Sequence, residues 1–536
     1  MINRKLRRGL LWGIVLVGAS LNGCGAPASS PAAKPGAEPA GAQPAGFDVV
    51  ETSIAEIHQA MQDGRLTARQ LVEAYFERIE AYDKRGPALN AIIAINPGAL
   101  QRADELDAAF AESGLTGPLH GIPMIVKDNY DFAGMSTSAG SASLADSMPP
   151  DDAFQVRRIR AAGAIVLAKS NMAEFAFSPN ETIGSRIPGF TRNPYATNRV
   201  PAGSSGGTAA SVAASMGVVG LGTDTGNSIR GPSAHNALVG IRSTIGLTSR
   251  DGIVPLYFSH DIGGPMGRSV ADAVVVFDVI VGADPADPTT READERRAAN
   301  YNEFLDADAL ASARIGVVRQ IVDRESGDPR VREVFHQALE DLRAAGAEIV
   351  DPVVIPMLDE RVQFWCSRFR YDINAYLATL GPGAPVKTLT QIVESRDYDR
   401  TVRDRLQRSL QESLEDPAVR CAEQEDNRRR FAEQVSGIIT DNRLDALVFP
   451  TWANVPRLIG DLRSPGGDNS QVLSPQTGFP AITVPMGWIE EGGKQLPAGL
   501  QILGDAWTEP RLIALAYAYE QATRHRRPPS ATPALR

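Results

Sequence analysis

Cysteine is scarce in this chain: there are three in 536 residues, Cys24, Cys366 and Cys421. Spread that widely, they build no disulfide framework and offer no metal-ligand spacing. Cys366 and Cys421 are expected as two packed thiols. An excess of positive charge is missing as well. Fifty-four Lys and Arg face 64 Asp and Glu, a balance of -10, which gives no general attraction to phosphate backbones and argues against a nucleic-acid binder. The apolar run near the N-terminus, Leu10 to Val17, falls short of the roughly 18 residues that span a bilayer as a helix. No internal repeat of solenoid period is visible. What is present is ordinary: 43% hydrophobic and 22% charged residues with 49 Gly and 37 Pro describe a folded chain with room for up to about three domains.

Residues 1–23 read as an export address. A basic start (Arg4, Lys5, Arg7, Arg8) precedes the apolar run, and small residues lead to Cys24, the layout of a secretory signal. Leu21 to Cys24 (LNGC) looks like a bacterial lipobox, which implies a lipid on Cys24 and a cell-envelope lipoprotein. Residues 24–46 are crowded with Ala, Pro and Gly and have no periodic apolar face, as in an extended tether. Without the signal, 513 residues remain with 50 basic against 64 acidic side chains. That charge repels an anionic membrane surface, so the lipid is the expected anchor.

The body, 47–528, alternates helix and strand patterns, with 529–536 set apart as a tail. Thr67 to Gln70 has the form of a capping box, and Leu71, Val72, Tyr75, Phe76 and Ile79 recur on one face, predicting a helix over 67–82. Further elements are short apolar runs over 122–126 and 218–221, a helix over 153–162 and a buried-type strand over 164–168. Continuously apolar strands separated by helices point to an α/β protein whose sheet is covered on both faces. Residues 296–440, rich in Arg, Glu and Gln, read as a helical elaboration with a solvated surface.

Three stretches stand out: Gly121 to Asn129 (GIPMIVKDN), Ala202 to Gly207 (AGSSGG) and Gly222 to Gly231 (GTDTGNSIRG). Singly, each has a bland explanation as a strand end or a turn. No Lys follows Gly206 or Gly207 as a phosphate-binding P-loop requires. Gly203 to Gly207 matches G-x-S-x-G, which makes Ser205 the nucleophile of an α/β-hydrolase-type esterase with His235, His260, His336 or His525 as its base. None of those histidines sits in a recognisable context.

Together the stretches resemble the amidase signature family. Gly163 to Met172 (GAIVLAKSNM), Gly264 to Ala273 (GPMGRSVADA), Thr477 to Pro485 (TGFPAITVP) and Leu496 to Gln501 (LPAGLQ) extend the likeness over about residues 48–524. The resemblance implies a mixed central sheet covered by helices and a Ser, cis-Ser, Lys triad. Ser228 corresponds to the nucleophile, Ser204, preceded by a cis peptide bond, to the bridging serine, and Lys127 to the base. The N–H groups of Thr225, Gly226, Asn227 and Ser228 correspond to the oxyanion hole, with Ser205, Asp224 and Arg230 in support. Asn227 stands where Gly is commoner; Asn tolerates left-handed backbone, and its side chain is expected to narrow the acyl pocket.

These residue types make chemical sense. A serine hydroxyl needs a base to attack a carbonyl, and a Ser–Lys pair is an alternative to Ser-His-Asp. Lys127 must lose its proton near neutral pH, a fall of roughly three units from about 10.4 worth about 4 kcal/mol, and burial supplies a change of that size. The expected reaction is hydrolysis of a small-molecule carboxylic amide, a peptide C-terminal amide included, without metal or organic cofactor. A noncatalytic solute-binding lipoprotein is the remaining alternative. The aromatics Phe364, Trp365, Phe369 and Tyr371 are expected as plain core more than as acyl-pocket lining.

Overall fold

The computed structural model describes residues 47–535. Cys24, the signal and the whole tether, residues 1–46, lie outside the described residues. Among those residues no helix is long and apolar enough to cross a membrane.

One mixed sheet of eleven strands organises the body. The strands are β1 (Ile92–Ile95), β2 (Pro123–Lys127), β3 (Ile165–Ser170), β4 (Val219–Asp224), β5 (Val239–Arg242) and β6 (Ile262–Gly267). The second half adds β7 (Arg314–Val317), β8 (Glu348–Val350), β9 (Ala446–Pro450), β10 (Ala481–Glu491) and β11 (Lys494–Leu503). Their spatial order is β1-β3-β2-β4-β6-β5-β10-β11-β9-β7-β8. β2 runs parallel to both β3 and β4, whereas β4, β6, β5, β10, β11 and β9 are antiparallel in succession. Every residue of β2 to β6 is buried, because helices cover both faces and leave no solvated side to alternate with. This is the expected fold class.

The local signals hold up. Helix Ala68–Tyr82 starts at Thr67, whose hydroxyl accepts from the Gln70 N–H while the Gln70 side chain accepts from the Thr67 N–H, and a cap of this kind is worth about 1 kcal/mol. Its buried Leu71, Val72, Tyr75 and Ile79 join Ile122, Ile125 and Ile165 in one apolar core under the first half of the sheet. Burying each such side chain contributes roughly 1.5–3 kcal/mol. The other expected elements appear as Phe154–Ala161, β3 and β4, each shifted by one to three residues at its ends.

Two expectations need correction. Residues 296–440 are mostly helical but also supply β7 and β8, which extend the sheet parallel to β9. These strands are only four and three residues long, too short to rise above the helical periodicity around them. Within Tyr398 to Glu412 only Arg403–Ser409 is helix. The C-terminal segment docks on the body: buried Arg78 donates to the carbonyls of Thr532 and Pro533, and Tyr82 donates to Pro533.

Candidate active site

β2 and β4 lie side by side and point the same way, so their carboxyl ends open onto one crevice, the usual place for a site in such sheets. Lys127, the last residue of β2, is fully buried there. Its Nζ lies 2.7 Å from Ser204 Oγ and 2.7 Å from Thr223 Oγ1. Burial pushes its pKa down to about 7 against the opposing pull of Asp224 and Asp261. A buried ammonium has lost its hydration, so the amine form is favoured.

Ser204 reaches Lys127 from the loop that leads into helix Gly206–Ala213. The Gly203–Ser204 peptide is cis. Gly203 is a position of close approach: its N–H donates to Pro179 O at 2.8 Å, and a Cβ there would stand 2.6 Å from the carbonyl oxygens of Ser178 and Glu181.

The loop after β4 is held by a buried ion triad. Asp224 accepts from Arg230 Nε at 3.0 Å and from Arg242 Nη1 at 3.0 Å, with all three side chains out of solvent. Burial works to raise the Asp224 carboxyl, but the two guanidiniums outweigh it and hold its pKa at about 2. Asp224 also accepts from the backbone N–H groups of Ile229 and Arg230, and Arg230 donates to Gly226 O at 2.8 Å. The backbone between is thereby bent around a fixed carboxylate. Among the described residues the N–H groups of Thr225, Gly226, Asn227 and Ser228 have no acceptor within the fold. Four such donors beside a cavity can receive a developing negative charge.

Ser228 is 3% exposed, and its Oγ donates to Asn227 Oδ1 at 3.3 Å. No direct hydrogen bond joins it to Ser204 among the described residues. Asn227 in turn donates to Gly203 O at 3.0 Å, tying the loop after β4 to the strap that carries Ser204. Its backbone is not left-handed, so that reason for tolerating Asn does not apply. Beside Ser228 and Asn227 opens a cavity of about 200 Å³, walled by Phe177, Tyr257, Trp365 and Gln471.

The amidase family model matches residues 70–513. The chain belongs to the amidase family. The peptide amidase from Stenotrophomonas maltophilia has a similar structure, with a TM-score of 0.80, 40% identity and coverage of 89% of this chain and 98% of that one. A probable amidase of Arabidopsis thaliana is 33% identical over 90% of this chain and 92% of its own length. A Glutamyl-tRNA(Gln) amidotransferase component of Deinococcus radiodurans is 33% identical over 87% of this chain and 96% of its own length. This amidase is an enzyme that hydrolyses amide C–N bonds, and the noncatalytic alternative falls away.

The geometry also removes the esterase alternative. In this amidase Ser205 Oγ donates to Thr223 O at 3.2 Å and accepts from Thr223 N at 3.3 Å, so it is committed to the β4 backbone. The proposed histidine partners lie elsewhere: His235 faces Asn454 O, His260 stacks on Trp365 at 4.3 Å between ring centroids, His336 meets Arg319, and His525 meets Asp341. The G-x-S-x-G match is a by-product of glycines needed for close packing.

Several site residues escaped the sequence reading. Thr223 shares Lys127, Arg242 completes the ion triad, and Asp261 accepts from Thr225 and from the N–H groups of Leu256 and Tyr257. Asp261 thus couples the loop after β4 to the cavity wall. Arg242 ends β5 with no motif around it; only the excess of charge inside a buried strand could have drawn attention to it. Of the four aromatics read as core, Phe369 is buried in an apolar cluster, but Trp365 lines the cavity. Cys366 and Cys421 form a disulfide, with Cα atoms 5.7 Å apart, in place of the expected separate thiols. Fifty-five residues separate them in sequence, and no local pattern reveals the chain turning back.

Proposed function

We propose that this amidase removes the C-terminal amide of peptides through an acyl-enzyme on Ser228, releasing ammonia. The observation that carries the reading is Lys127: a fully buried lysine with its pKa near 7, within hydrogen-bond reach of Ser204. Neutral Lys127 takes the proton of Ser204 as Ser204 takes that of Ser228. For this the Ser228 hydroxyl leaves Asn227 Oδ1 and turns to Ser204. Ser228 Oγ then attacks the amide carbon, the oxyanion rests on the N–H groups of residues 225–228, and the proton returns through Ser204 to the leaving nitrogen. Water repeats the sequence on the ester and frees Ser228. The likeness to peptide amidase at 40% identity supports a peptide amide as substrate.

Export and lipid attachment at Cys24 belong to the same proposal. The basic start, the apolar run and the cysteine of residues 1–24 support it, as does the Cys366–Cys421 disulfide, since such bonds persist in oxidising compartments. An exported chain meets no aminoacyl-tRNA, so amidotransferase chemistry is not proposed. The test is ammonia release from a panel of aliphatic, aryl and peptide C-terminal amides by the full chain. Turnover of peptide amides that disappears in Ser228→Ala supports the proposal; turnover confined to the other classes overturns the substrate, and turnover undiminished in Ser228→Ala overturns the nucleophile.

A further inference from the structure

A second cavity, of about 460 Å³, adjoins the one at Ser228 and shares Leu256, Tyr257, Trp365 and Arg405 with it. Its charge runs against that of the chain. The whole sequence carries -10, yet Arg368, Arg405 and Arg408 line this cavity with Glu412 as the one acidic side chain. Arg368 is neutralised by Asp372, which accepts two bonds at 2.7 and 2.8 Å. Arg405 and Arg408 have no carboxylate within 4 Å among the described residues; Glu412, whose charge reaches Arg405 from farther off, accepts from the Arg370 N–H at 2.9 Å.

Arg405 is also held in place. Its Nη1 donates to Phe177 O at 2.8 Å, and its guanidinium lies over the Phe177 ring, 4.3 Å from the centroid. Nε and Nη2 keep no protein acceptor among the described residues. An arginine stacked and anchored on one edge presents its other N–H groups as a fork that matches a carboxylate. Arg405 lines both cavities, within reach of an acyl chain that extends from Ser228 toward the second one.

Resting on the proposed peptide-amide substrate, we propose that Arg405, assisted by Arg408, binds the carboxylate of an acidic side chain in the residue preceding the amidated one. Acidic peptide amides are then the preferred substrates, although the net charge of the protein repels them. The local pair of cations outweighs that repulsion at short range because screening confines distant charges to within about 8–10 Å.

The experiment compares acetyl-Glu-Phe-amide with acetyl-Gln-Phe-amide on the full chain. The glutamate peptide is expected to have a kcat/KM about tenfold higher, carried in KM and weakened by salt. Arg405→Gln with Arg408→Gln should abolish the difference, bringing the kcat/KM ratio of the two peptides in that variant to about 1. Equal kcat/KM for the two peptides in the unaltered protein, or a preference that survives the double substitution, overturns the proposal. If neither peptide is hydrolysed, the peptide-amide reading fails separately. Protection of Ser228 from a fluorophosphonate label then decides the anion site: protection at about tenfold lower concentration by the glutamate peptide upholds it, and equal protection overturns it.

Discussion

The floor and the roof of the site are built on different principles. The strands of the floor, β2 to β5, are buried along their whole length and held by short polar contacts: Lys127 to Ser204 and Thr223, Asp224 to Arg230 and Arg242. The roof, residues 356–421, is assembled from short helices and irregular chain, with Trp365 and Arg405 over the cavities and one disulfide closing it. On the proposed mechanism, chemistry belongs to the buried floor and choice of substrate to the roof. A lysine stays neutral only while its surroundings stay dry, so the base must sit in the floor.

The comparison breaks first if the floor is not the seat of chemistry. Lys127→Ala and Ser228→Ala should each lower kcat by at least about 10³-fold, the scale seen when a member of a nucleophile–base unit is removed, measured as ammonia release. Next in size is the support beneath. Asp224→Asn leaves two buried guanidiniums short of their counter-charge, a change expected to cost about 3–5 kcal/mol and read as a lowered urea midpoint with loss of activity.

Changes in the roof should leave the chemistry standing. Cys366→Ser with Cys421→Ser opens the 55-residue separation and should lower stability by about 2–4 kcal/mol, read from the urea midpoint, with kcat on a small amide unchanged. Smallest of these is Trp365→Ala, which removes one cavity wall. A rise in KM of about tenfold at constant kcat is expected, the mark of binding energy shared by ground and transition states. A fall in kcat there would show that roof and floor are not separable.

The same division explains what the sequence disclosed. Floor residues sit in short contiguous motifs because a strand end and the loop after it deliver several groups to one point; Lys127, Ser204, Asp224, Ser228 and Arg230 all lie in such motifs, whose stretches the fold brings together. Arg242 and Asp261 act across the fold, one at the end of β5 and one just before β6, and no spacing connects them to the motifs. In the roof, the strands β7 and β8 were hidden by their length, the disulfide by its long separation, and Trp365 by its likeness to any aromatic on an apolar face. Arg405 lies in the stretch whose sequence reads as a solvated helix surface, and only the fold sets it against Phe177 and between two cavities.

The central claim is that burial in the floor makes Lys127 the base for Ser228. Its pKa is lowered, so the reactive amine form predominates above about pH 7 and is lost as pH falls below it. The direct measurement is the pH dependence of the rate at which a fluorophosphonate labels the protein, with the modified residue identified by peptide mapping. The account predicts label on Ser228, with a rate that climbs through a single ionisation near 7, levels off above it and collapses in Lys127→Ala. A flat profile from pH 5 to 9, or label on Ser205 with none on Ser228, would contradict it.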